Sequence, residues 1–217
     1  MMGIIHEAFR RDLARVRLVL TATPAPHGDR RQAVAKQVLW LMDMLHEHHE
    51  TEDAGLWPLI LERNPAAAGL LDAMTADHRA IVPAIAALTA AAQRYRSAEG
   101  DGPRLELVQA VDALTDVLLP HLDREVREAM PVVAQSISAR DWEAWNQQLI
   151  KQKSPWELGI QGHWLIDEID PEDYQLVVHQ VPPVPRFILL HGFARPYRRR
   201  REAWWNPDLA RRELTAR

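Results

Sequence analysis

The chain has 217 residues, a formal net charge of -4 and a hydrophobic fraction of 47%, enough for one sizeable core and a smaller appendage. It contains no cysteine, which excludes disulfides, iron–sulfur clusters and thiolate zinc sites together; any metal must use nitrogen and oxygen ligands. The nearly balanced charge argues against nucleic acid as a partner, and no stretch approaches the ~20 apolar residues of a membrane span.

The opening MMGIIHEAFRRDL lacks the uninterrupted apolar run of a signal peptide, so a soluble, cytoplasmic protein with no membrane contact is expected. Alanine and leucine dominate the apolar residues, which favours helix over strand. A first helix is expected from about Ile4 to Leu20, ending at the turn formers TATPAPHGD. A second runs from about Arg31 to Arg63 and stops at Asn64-Pro65, and a third spans roughly Ala66 to Arg96 and ends in SAEGDGP. The fourth starts near Pro103, a good first helical residue, and continues to about Glu128. Long helices joined by short loops imply an all-α, antiparallel up-down-up-down four-helix bundle over residues 1–135.

Two segments repeat one pattern. HHETEDAGLWP places His48, Glu52 and Pro58 as HLDREVREAMP places His121, Glu125 and Pro131. Residues four apart lie above one another on a helix, so each pair aims an imidazole and a carboxylate at one point. Helical phasing puts His48 and Glu52 in the apolar face of Val38, Leu41, Leu45, Leu56 and Leu59, with His46, His49 and Asp53 turned toward its flank. His78 falls near the centre of the stripe made by Leu70, Leu71, Met74, Ile81, Val82 and Ile85. His121 and Glu125 join Leu107, Leu114, Val117, Leu118 and Val132, and His6 lies at the edge of the stripe of Met2, Phe9, Leu13 and Leu20. Two buried acids need a cation or protons to offset their charge. Six ligands, His6, His48, Glu52, His78, His121 and Glu125, exceed what tetrahedral zinc needs and suit two ions of borderline character such as iron. His49 and Asp53 stand as the second choice.

The segments IIHEAFRRDL, HHETEDAGLWP, ADHRAI and HLDREV resemble the hemerythrin family, in its bacterial form the HHE cation-binding domain. The resemblance covers about residues 1–133. It implies a four-helix bundle with two non-haem iron ions, or an iron and manganese pair, held by those six residues and by neither haem nor flavin. It also implies reaction with or binding of dioxygen or peroxide. The family's oxygen carriers have a second histidine on the third helix where this chain has Met74, and a histidine and aspartate five apart where it has His121 and Glu125 four apart. A more open, less symmetric site follows, suited to redox chemistry or sensing, with His49 as a substitute ligand. The alternatives are an oxidase or oxygenase supplied by an electron donor and acting on an organic substrate, and an iron- or oxygen-responsive regulator.

Pro58, Pro83, Pro120 and Pro131 are expected to bend or break their helices, and Trp57 to lie outside the bundle or against the C-terminal region. From residue 136 to 217 the chain becomes rich in tryptophan and proline, with six of the eight tryptophans. A further helix capped by Ser138 and Asp141 is expected there. This extension should pack over the bundle and offers a surface for a homodimer. His163, His179 and His191 show no regular spacing and read as ordinary side chains.

Overall fold

The computed structural model describes residues 1–98 and 100–208, and these form helices with no strand among them. Glu99 of the SAEGDGP loop and residues 209–217 of the expected extension lie outside the described residues. Helix α1 spans Met2–Thr21, α2 Gly28–Thr51, α3 Trp57–Arg63, α4 Ala68–Ser97, α5 Asp101–Arg124 and α6 Met130–Ser136. The second and fourth helices of the bundle are therefore compound: α2 continues into α3, and α5 into α6, each through a short turn of wider helix. Around the bundle α4 packs against both α2 and α5, and α1 against α5, while α1 and α2 approach each other least.

The extension holds five helices rather than one: α7 Ala139–Lys151, α8 Pro155–Leu165, α9 Pro171–His179, α10 Pro183–Gly192 and α11 Ala194–Trp204. Its prolines start these short helices. Pro155, Pro171 and Pro183 occupy the first helical position, where the missing N–H has no intrahelical partner to lose. Ser138 and Ser154 close capping boxes with Asp141 and Glu157. Phe193 seats its ring directly over Gly159, which has no side chain to obstruct it.

Helices α8 and α11 fill the seam between α1 and α2. Trp164, Trp204 and Trp205 are buried in the same apolar cluster as Phe9, Val16, Leu41 and Leu45. Trp164 stands edge-on to Phe9 and Trp40, with ring centroids 5.1 and 5.4 Å apart. Polar groups pin this contact. Asp12, 1% exposed, accepts hydrogen bonds from Arg11 Nε (3.0 Å), Arg15 Nη1 (3.2 Å), Gln37 Nε2 (3.0 Å) and Trp164 Nε1 (3.1 Å). Arg15 Nη1 also donates to Asp167 Oδ2 at 2.6 Å, and Arg201 pairs with the other oxygen of Asp167. Burial alone would lower the Arg15 pKa, but Asp167, Asp12 and Glu168 outweigh it and raise it, so the guanidinium stays charged.

Removing one partner of such a buried set strands the others. Asp12→Ala is expected to cost about 3–5 kcal/mol of unfolding free energy in urea denaturation. A loss below about 1 kcal/mol, the range of an exposed ion pair, would show that the network does not fasten the extension.

Candidate metal centre

The two repeated segments fold alike. Residues Glu52–Leu56 and Glu125–Ala129 each form a turn of π-helix, entered from α2 and α5 and left into α3 and α6. The Trp57 N–H donates to the Glu52 carbonyl and the Met130 N–H to that of Glu125, each closing the wide turn. Pro58 and Pro131 come second in the resumed helices. In an unbroken α-helix a proline ring collides with the carbonyl four residues back, and the extra residue of a π turn carries that carbonyl away. The expected break is thus a one-residue insertion, and it begins at a glutamate in both copies. Pro83 and Pro120 instead lie within continuous α4 and α5.

Five histidines and two glutamates converge in the middle of the bundle. Ring nitrogens of His49, His78 and His121 lie within 4.8 Å of one another, and so do ligand atoms of His6, His48 and Glu125. His49 and His78 stack at 4.3 Å with planes 10° apart, and His121 stands edge-on to both. His6 Nε2 is 3.2 Å from His48 Nε2. The carboxylates span the two groups. Glu52 Oε1 is 3.4 Å from His48 Nε2 and its Oε2 is 3.6 Å from His78 Nε2. Glu125 Oε2 is 3.3 Å from His6 Nε2 and 3.8 Å from His121 Nε2.

These residues fit a metal by their unmet valences. Both oxygens of Glu52 and Glu125, Nε2 of His49 and Nε2 of His78 and His121 are buried with no hydrogen-bond partner among the described residues. Orphaned buried polar atoms are costly, and here they point at one another, where a cation would satisfy them together. Burial raises the Glu52 pKa well above the ordinary carboxylate value, and the facing Glu125 adds to it. Burial would raise Glu125 as well, but the His6 ring 3.3 Å away, with His48 and His121, lowers it. Burial lowers His48 to about 3 and His121 to about 4, with neighbouring imidazoles adding to the effect, and it lowers His49 too. The imidazoles stay neutral, the form that binds metal.

The structure brings His6, His48, Glu52, His78, His121 and Glu125 together and adds His49. The ordering of His48 ahead of His49 gives way to inclusion of both. Ala35 and Met42 are buried along with Val38, Leu41 and Leu45, so the inward arc of α2 is wide enough for two residues 100° apart. His48 faces His6 on α1, and His49 faces His78 on α4. Met74 is buried in the apolar cluster below the site. Trp57 is 2% exposed and belongs to that cluster, against which Trp142 and Trp145 of the extension pack, so the second of its two expected places holds and the outside one does not; its ring is parallel to His78 at 6.5 Å. Val82 and Val117 are exposed rather than part of the core stripes. Glu128 pairs with Arg124 and Arg127 away from the cluster.

Asp53 stands behind a histidine rather than inside the cluster. Its Oδ1 is 3.0 Å from His78 Nδ1 and accepts a 2.6 Å hydrogen bond from Thr75 Oγ1. Asp77 takes the equivalent place for His121, 3.7 Å from its Nδ1, and is itself held by Arg124 Nη1 at 2.8 Å. Carboxylates so placed fix the ring orientation of metal-binding histidines. Sequence reasoning missed Thr75, Asp77 and Arg124; the signal was an acid adjacent to a buried histidine, which is too common to single out.

Asp53→Ala and Asp77→Asn should each weaken transition-metal binding about 10- to 100-fold in competition with a coloured chelator. Unchanged affinity would reduce both acids to surface charges. In metal-free protein the three histidines with lowered pKa refuse protons that the unfolded chain accepts below about pH 6.5, so stability falls on acidification. Glu52, with a raised pKa, acts oppositely, losing stability as pH rises, but three sites outweigh one. Denaturation midpoints of the metal-free protein are expected to drop steadily from about pH 6.5 to 4. A flat profile would contradict the burial of these rings.

Neither a curated protein nor a solved structure matches the chain. The family model described as the hemerythrin HHE cation-binding domain matches residues 4–133, from α1 into α6, and stops short of the extension. With that match across the whole bundle and a buried His/Glu cluster at its centre, the chain belongs to the hemerythrin HHE cation-binding family.

Proposed function

We propose that the bundle holds a dinuclear non-haem iron centre that binds or reacts with dioxygen, peroxide or a related small oxidant. The observation that carries this reading is the pair of buried carboxylates, Glu52 and Glu125, each reaching both histidine groups with no hydrogen-bond partner of its own. A single ion would leave one group unsatisfied. His49, His78 and His121 would hold one ion and His6 and His48 the other, with the two glutamates between them.

The donor set is nitrogen and carboxylate oxygen, which suits iron, or iron with manganese. His6 and His48 would offer the second ion one histidine fewer than the first, which would leave it room for an exogenous oxidant. When bound, the iron pair supplies the electrons for a small oxidant. The surrounding residues do the rest. Burial keeps His48 and His121 neutral, Asp53 and Asp77 orient His78 and His121, and Phe9, with its ring 5.7 Å from that of His48, closes one flank against water.

Protein made in iron-rich medium is expected to contain about two metal ions per chain, and Glu52→Ala or His121→Ala to lose at least one of them. Metal analysis showing none would end the proposal. Anaerobic reduction followed by oxygen, watched by absorption, separates the modes: a band that forms and reverses marks binding, and rapid irreversible bleaching marks turnover with an electron donor.

A further inference from the structure

We infer that the cleft between α2 and α4 is a binding site beside the metal centre for a small organic monoanion, a carboxylate or phenolate; the inference rests on the dinuclear reading above. The cleft has a volume of about 330 Å³, and its inner wall is formed by His49 and His78. Three other surface cavities of comparable size, beside Met2, Gln37 and Tyr95, are lined by none of the clustered histidines or glutamates. This face is where solvent space meets the centre.

Size argues against dioxygen as the sole visitor. A water molecule takes about 30 Å³ of liquid, so the cleft holds several times what a diatomic needs, and it falls at the low end of small-molecule sites, about 300–1,000 Å³. Its walls are mixed. Ala54, Val82 and Ile85 offer an apolar side, with Val82 48% exposed despite being branched and apolar. Both carboxylates in the lining already have neighbours: Asp53 is held by Thr75 and His78, and Glu50 lies 4.0 Å from His46. Arg79 has no ion-pair partner among the described residues, so the cleft's uncommitted charge is a guanidinium, which prefers planar oxyanions. Metal ions behind His49 and His78 would add positive charge to the floor, while Glu50 at the rim disfavours a second negative charge on the ligand. An anionic head with a short apolar body satisfies each of these surfaces.

Benzoate is a suitable probe, with benzamide as its neutral counterpart. Calorimetry on the iron-loaded full chain is expected to show saturable benzoate binding that perturbs the absorption of the centre. Benzamide should bind at least about tenfold more weakly, as should benzoate to Arg79→Gln, the loss of one charge-assisted hydrogen bond. Val82→Trp, at an exposed position, should fill the cleft and abolish binding with iron content unchanged. Equal binding of benzamide, or benzoate binding insensitive to both variants, would overturn the inference. Protein without iron sinks the dinuclear reading and this inference with it, whereas iron-loaded protein that ignores benzoate sinks only the inference.

Discussion

Two carboxylates with no measurable exposure, Glu52 and Glu125, lie in the middle of an apolar helical bundle, and most of the architecture answers to that. A buried, unpaired carboxylate is among the most costly groups a core can contain. The bundle surrounds the pair with imidazoles, of which burial keeps His48, His49 and His121 neutral, and so assembles a layer that is short of positive charge until a cation enters. That layer divides the core. On one side lie Phe9, Leu13, Leu41, Leu45 and Leu118, and on the other Met2, Leu56, Trp57, Leu71, Met74 and Val133. Each apolar cluster excludes water from one face of the layer, and low local polarity strengthens every interaction within it.

The repeated π turns show how a local sequence rule serves that layer. Glutamate, then proline six residues later, occurs in both the second and fourth bundle helices. The proline excludes a regular α-helix and the wide turn accommodates it, so the backbone is pinned where each carboxylate must enter the core. Gly55 adds a tertiary use. A Cβ there would lie 2.8 Å from Trp145 Nε1, so its absence lets α7 settle onto the turn that carries Glu52. The extension therefore touches the backbone of a site residue from outside the bundle.

What could be read from the sequence follows from the periods involved. The four bundle helices and the inward direction of His6, His78 and His121 rest on the 3.6-residue repeat, which the chain states over long stretches. The choice between His48 and His49 could not be made that way, because both fit inside a wide inward arc and only the neighbours, α1 for one and α4 for the other, show that both are used. Of the two places open to Trp57, the sequence could not choose for a related reason. The π turn advances the helical phase by one residue, so positions after Glu52 no longer follow the wheel drawn before it. Asp77 and Thr75 were invisible because their roles depend on which rings lie opposite, a matter of helix pairing and not of spacing. In the extension, prolines at the first position of a helix look the same in sequence as prolines that end one.

The extension also decides from which side the centre is approached. Helices α1 and α2 contact each other least, which would leave His6 and His48 behind an open seam. Trp164 closes it, resting on Phe9, which in turn packs on His48. The closure is held by a polar cluster in which Asp12 alone accepts four side-chain hydrogen bonds. Apolar rings would have sufficed to exclude water, but rings alone slide; the directional bonds from Trp164 and Arg15 fix one arrangement. With that seam shut, α4 and the outer face of α2 become the side on which His49 and His78 meet a cleft. The group that contains His49 and His78 then faces the cleft, and His6 and His48 lie under the tryptophan cover. A symmetric donor set in the sequence repeat is thereby converted into two unlike environments by residues that lie outside the repeat.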